Sequence, residues 1–113
     1  MLLDIDVIDE VRETLGDDTY RAFAARMLAE VAQTDGTLRD LLAAGDLGTL
    51  AGAAHRTSGS CAGIGAKGLH ELLKDIENTA RGGAVTALPD LLAALAPRMA
   101  DTRSALAALV GPV

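Results

Sequence analysis

Few side chains in this sequence could do chemistry near neutral pH; among them are two histidines, His55 and His70, and a single cysteine, Cys61. These three are too few for a metal centre, which takes three or four donors, and no two of them stand at the i, i+4 spacing of a helical ligand pair. Cys61 follows His55 by six residues, about 240° around a helix. A Cys–His nucleophile pair is therefore not expected, and the thiol should point into a core as a small apolar group. The glycines do not form a phosphate-binding loop, because no strand precedes them and no Gly-Lys-Ser/Thr follows. What remains is an imidazole that could act as a nucleophile or be simply a surface or core histidine. An unperturbed imidazole, with a pKa of about 6.5, is mostly neutral in a cytoplasm and keeps a nucleophilic nitrogen without further tuning.

Access then decides which histidine qualifies. Helical side chains lean toward the N-terminus, so the space over His55 is covered by the residues three and four positions on. Those are Ser58 and Gly59, one small and one without a side chain. A glycine inside a helix costs roughly 1 kcal/mol relative to alanine, so Gly59 needs a reason. Clearing a docking surface around His55 is one. Close helix–helix packing is another, and it would serve Gly48, Gly52 and Gly63 equally well.

The elements that must position this residue are helical. Ala, Leu, Arg, Glu and Asp dominate, and the only aromatics are Tyr20 and Phe23. A first helix is predicted from about Asp6 to Leu15, stopping at Gly16, after which Asp17 and Asp18 can cap a longer one. The stripe of that second helix (Tyr20, Phe23, Met27, Val31, Leu38, Leu41) is interrupted around Asp35-Gly36. A third, capped by Asp46, runs from about Leu47 to Ile64, with a corner at Gly65-Ala66. The fourth covers about Lys67 to Arg81, its apolar stripe being Leu69, Leu72, Leu73, Ile76 and Ala80. In the last stretch Leu88, Leu91, Leu92, Leu95, Met99, Leu106 and Leu109 share a side; Pro89 suits a first turn, and Pro97 should kink or break the helix. Short connections make this an all-α chain: one domain over residues 1–113, an antiparallel up-down four-helix bundle with a short additional N-terminal helix.

Counting back from the Gly65 corner brings Glu77 to the level of His55 and Lys74 to that of Ser58, with Arg81 about one turn beyond. His70, Lys74, Glu77 and Arg81 form one polar stripe, of which His70 reads as part of a solvated face. Glu77 is expected to accept a hydrogen bond from one imidazole nitrogen, fixing the tautomer and leaving the other nitrogen nucleophilic.

The string Ala54-His55-Arg56-Thr57-Ser58-Gly59-Ser60-Cys61-Ala62-Gly63-Ile64-Gly65-Ala66 resembles the signature of histidine phosphotransfer domains: Ala-His, two residues, a usual Lys, Gly-Ser, then four residues to a Gly-Ala corner. Ala44-Gly45-Asp46-Leu47 and the run Ile76-Glu77-Asn78-Thr79-Ala80-Arg81 are similar to the stretches on either side, so the likeness spans about residues 5–109. It implies a monomeric bundle that carries phosphate on His55, without an ATP site or catalysis of its own. Donor and acceptor would be aspartates on receiver domains of response regulators or hybrid histidine kinases, the receiver supplying Mg²⁺. Glu77 and Arg81 match family positions that line the histidine site. Ser58 stands where the family usually has Lys, so Lys74, with Arg56 or Arg81, is expected to supply the cation. Ser58, Gly59, Lys74, Glu77 and Arg81 are thus the phosphate-proximal group, and Ala51, Gly52, Arg56 and Gly59 the partner-binding surface. The alternatives are a receiver-docking adaptor of the same fold that passes no phosphate, suggested by Ser58, and a structural helical bundle in which His55 is incidental.

Bulk properties agree. The net charge of −6 argues against nucleic acid or an anionic membrane as partner. No run approaches the roughly 18 apolar residues of a membrane span, and the acidic N-terminus does not read as a signal peptide. With one cysteine no internal disulfide is possible. A cytoplasmic, free-standing protein is expected.

Overall fold

The computed structural model describes all 113 residues. It is all-helical: α1 (Ile5–Leu15), α2 (Asp17–Ala44), α3 (Leu47–Ile64), α4 (Lys67–Arg81), α5 (Leu88–Ala93) and α6 (Leu95–Val110), with a 3₁₀ turn at Val85–Ala87 before α5. The four arms of the bundle are α2, α3, α4 and the broken pair α5–α6, while α1 packs against α2 and α3. No helix is long and apolar enough to cross a membrane. The molecule measures 42 × 21 × 21 Å, its long dimension matching the rise of α2, at about 1.5 Å per residue.

One core of 22 buried residues runs through the bundle. Leu28, Val31 and Leu38 enter it from α2, Leu50, Ala54 and Cys61 from α3, Leu69, Leu73 and Ile76 from α4, and Leu95 and Leu106 from α6. The apolar stripe does lapse around Asp35-Gly36, with no buried residue between Val31 and Leu38, while α2 continues through it. Gly36 is exposed, and burial of Leu38 two residues later offsets the roughly 1 kcal/mol that a mid-helix glycine costs. Asp17 and Asp18 do not cap α2 from outside: Gly16 occupies the cap, and Asp17 pairs instead with Arg12 of α1 at 2.9 Å. Asp46 does cap α3, accepting from the Thr49 N–H at 3.2 Å. Pro97 lies in the first turn of α6, after a break at Ala94. There its missing N–H falls among groups that have no partner within a helix. Leu109, assigned to the apolar stripe, is largely exposed.

The α3–α4 corner holds the functional helix in register. Gly65 has φ +84°; its N–H donates to Ala62 and that of Ala66 to Cys61, a Schellman closure that requires the left-handed conformation. The last carbonyl of α3, that of Ile64, accepts from the Tyr20 hydroxyl at 2.6 Å. Asp4 N–H donates to Gly65 O and Gly68 N–H to Leu2 O, so the N-terminal segment is tied across the corner. A Cβ at Gly65 would lie 2.6 Å from Ile8 Cγ1 and 3.0 Å from Asp4 O; any side chain here pushes α1 away.

Candidate phosphoacceptor site

His55 is carried near the middle of α3, with its side chain 63 % exposed. Its Nδ1 lies 3.1 Å from Glu77 Oε1 on α4. An ionised carboxylate can only accept, so Nδ1 bears the proton and Nε2 keeps its lone pair. The level counting along the hairpin is thus met by the geometry.

Glu77 is 5 % exposed and has three donors. Lys74 Nζ donates to Oε1 at 3.1 Å, the oxygen that also faces the ring, and Arg81 Nε donates to Oε2 at 3.0 Å. Burial pulls the Glu77 carboxyl up, but the hydrogen bonds from Lys74, Arg81 and His55 outweigh it and hold the group down at about 2. It is therefore a fixed anion behind the imidazole. The Lys74 and Arg81 side chains are 39 % and 56 % exposed, so both reach toward solvent on the side of the ring.

Around His55, α3 is bare. Gly48, Gly52, Gly59 and Gly63 all lie on its outer side, and a Cβ built on any of them meets nothing within 4 Å. That decides between the two reasons for these glycines: they clear a surface and do not admit a neighbouring helix.

Three expected members stand elsewhere. Ala51 is completely buried in the core and offers nothing to a partner; it lies only about 40° from His55 around the helix, but on the flank turned toward the bundle interior. Ser58 is 2 % exposed, and its hydroxyl donates to the His55 carbonyl at 2.7 Å rather than pointing at the ring nitrogen. Such back-bonding is the usual resort of a serine inside a helix. Arg56 is exposed but lines the α2–α3 groove with Gln33 and Thr34, so the cations gathered at Glu77 are Lys74 and Arg81. His70 is not simply solvated: it is half-buried and its Nδ1 donates to the Ser58 carbonyl at 3.0 Å, bridging α3 and α4.

Cys61 is buried as expected, and burial, with the Glu30 charge, pushes its thiol up to about 12, leaving it inert as a nucleophile. No cluster of three or more His, Cys, Asp or Glu side chains could hold a metal ion. One feature escaped the sequence reading: Phe23, Arg26 and Glu30 of α2 line a groove whose other wall includes Gly59. Phe23 fits the apolar stripe by spacing, and nothing in a linear pattern sets α2 beside the histidine face.

The family model of the Hpt domain matches residues 22–109. No curated protein matches significantly. Among solved structures, the fold is similar to the crystal structure of histidine-containing phosphotransfer protein B (HptB) from Pseudomonas aeruginosa PAO1, with a TM-score of 0.82 and 27 % identity over 89 % of this chain and 87 % of that one. With a family match over most of its length and the same helical bundle around a surface histidine, this chain belongs to the Hpt domain family and has a histidine phosphotransfer role in phosphorelays.

Proposed function

We propose that His55 is the phosphoacceptor, taking a phosphoryl group from an aspartate of one receiver domain, or from a histidine kinase, and passing it to the aspartate of another. The observation that carries this reading is the exposed ring, with Nδ1 committed to Glu77 and Nε2 open to solvent. In the transfer the Nε2 lone pair attacks phosphorus in line, the P–O bond to the aspartyl carboxyl breaks, and that carboxylate leaves with its electron pair. The ring then carries phosphate on Nε2 and a proton on Nδ1, and so a positive charge, which the Glu77 anion stabilises. Return transfer breaks the N–P bond in the same way.

The protein acts as a phosphocarrier without catalysis of its own. The receiver brings the Mg²⁺ that neutralises the moving phosphoryl group, and this chain contributes an oriented imidazole on a rigid helix. Lys74 stands in for the cation that Ser58 cannot provide. As a monomer in the cytoplasm, it presents the bare face of α3 (Gly52, Gly59 and the exposed Arg56) to the receiver.

Incubation with an aspartyl-phosphorylated receiver, or with phosphoramidate, should place acid-labile phosphate on His55, and His55→Gln should remove it. A His55 that binds receivers but never takes label would make the protein an adaptor. Lys74→Ala should slow labelling and shorten the phosphohistidine lifetime; unchanged values for both would exclude Lys74 as the substitute cation.

A further inference from the structure

Beside the histidine face, α2 and α3 enclose a groove of about 390 Å³. Phe23, Met27 and Ile64 give it apolar walls, and Gly59 and Gly63 leave its α3 side open. Phe23 is 37 % exposed, a surface aromatic in a chain that has only one other. Within the groove lies Glu30. Its Oε1 accepts from Ser60 at 3.3 Å, but Oε2 is buried and has no hydrogen-bond partner. A carboxylate oxygen withdrawn from water without a donor is costly, and the cost is recovered when a donor arrives.

The groove holds a cation of its own, and that cation is occupied elsewhere. Arg26, four residues before Glu30, lies over the Phe23 ring with its guanidinium carbon 5.6 Å from the centroid and makes no ion pair with Glu30. An arginine placed N-terminal to a glutamate at this spacing is the less favourable order on a helix. The carboxylate at the groove wall is left with one unpartnered, buried oxygen, and the soft terminal torsion of a glutamate lets Oε2 turn outward.

Resting on the proposed phosphotransfer reading, we infer that Glu30 is a specificity-determining residue: it receives a lysine or arginine from the docking receiver, whose aliphatic stem lies between Phe23 and Met27. Two observations name this occupant. The chemistry is complementary, since an unpartnered anion between apolar walls fits a cation on an apolar stem, and the whole chain carries −6. The groove is also continuous with the transfer surface, because Gly59 borders it and lies one helical turn from His55. A receiver seated over the imidazole therefore covers the groove as well. Charge matching of this kind selects among partners and raises encounter rates more than it tightens a complex.

The test measures transfer from a panel of aspartyl-phosphorylated receivers of the same source to wild-type protein, Glu30→Gln and Glu30→Met, with phosphoramidate as a donor that needs no docking. Both variants should raise KM about tenfold for the preferred receiver, flatten the preference across the panel, and weaken the salt dependence of KM. Phosphoramidate labelling of His55 and the melting temperature should stay as in wild type or, for Glu30→Met, the latter should rise. Wild-type KM and preference in both variants would overturn the role of Glu30 while leaving His55 as phosphoacceptor. Failure of every donor to label His55 in the wild-type protein would instead overturn the phosphotransfer reading, and this inference with it.

Discussion

The two histidines make a natural experiment. Both donate from Nδ1 across the α3–α4 seam, His55 to a carboxylate at 3.1 Å and His70 to a main-chain carbonyl at 3.0 Å. Both are therefore held in the same tautomer with Nε2 free. They differ in what stands behind the ring and in front of it. Behind His55 is a buried anion with Lys74 and Arg81 attached; behind His70 is a neutral dipole. In front of His55 the helix is stripped to glycine at 52 and 59, whereas His70 is half-buried close to Lys67 and Glu71. Tautomer control is common to both and so cannot be what marks a phosphocarrier. A charge to match the phosphorylated ring, and room for a protein to approach, are the distinguishing features.

The largest expected effect separates the pair directly. His55→Gln should abolish phosphoramidate labelling and His70→Gln should leave it intact, read by intact mass and acid lability; comparable labelling at His70 would break the contrast. Next, Glu77→Ala should slow labelling of His55 about tenfold, equivalent to about 1.4 kcal/mol, by removing the anion. If the rate holds, the carboxylate is only structural. The same residue gives a pH signature. Because its carboxyl is held down to about 2 in the fold, against about 4.3 for a free glutamate, its stabilisation is complete above about pH 5 and is lost as pH falls toward 2. Thermal melts over that range should show a slope that Glu77→Gln flattens. The smallest effect is on the bare face. Gly52→Ala and Gly59→Ala should each raise stability by about 1 kcal/mol, since the added Cβ meets nothing. Gly59→Trp should slow transfer from receivers while sparing phosphoramidate, and an equal loss with both donors would mean the glycines do not serve docking.

Much of this was legible in the chain. Periodicity and punctuation placed the helices, because Gly16, Gly45, Gly65 and Gly82 fall where helices end. Counting from the Gly65 corner paired His55 with Glu77, since both helices rise from one turn. The errors have a common source in angular position around a helix. Closeness to His55 in the sequence suggests a surface place for Ala51, but its flank of the helix faces the core. Ser58 was credited with facing the ring, but a helical serine finds the carbonyl behind it first. The exposed Phe23 and Leu109 matched a core stripe whose width the bundle does not fill. The α2–α3 groove was invisible because no local spacing says which flank of α2 abuts α3. Asp35-Gly36 shows the converse, a gap in the apolar stripe that the helix crosses because core burial resumes at Leu38.

Sharing one carboxylate among the ring and two cations has a consequence for traffic along the relay. With a neutral imidazole, Lys74, Arg81 and Glu77 sum to one positive charge at the surface. A phosphoryl group brings between about −1.5 and −2, but the phosphorylated ring gains a positive charge, so loading lowers the patch by about one charge and leaves it near neutral. Under the proposed function, the patch swings between positive and near neutral each time it is emptied or loaded. An approaching receiver thus meets a positive patch on the emptied carrier and a near-neutral one on the loaded carrier, and the emptied carrier favours a negatively charged phospho-receiver over a discharged one.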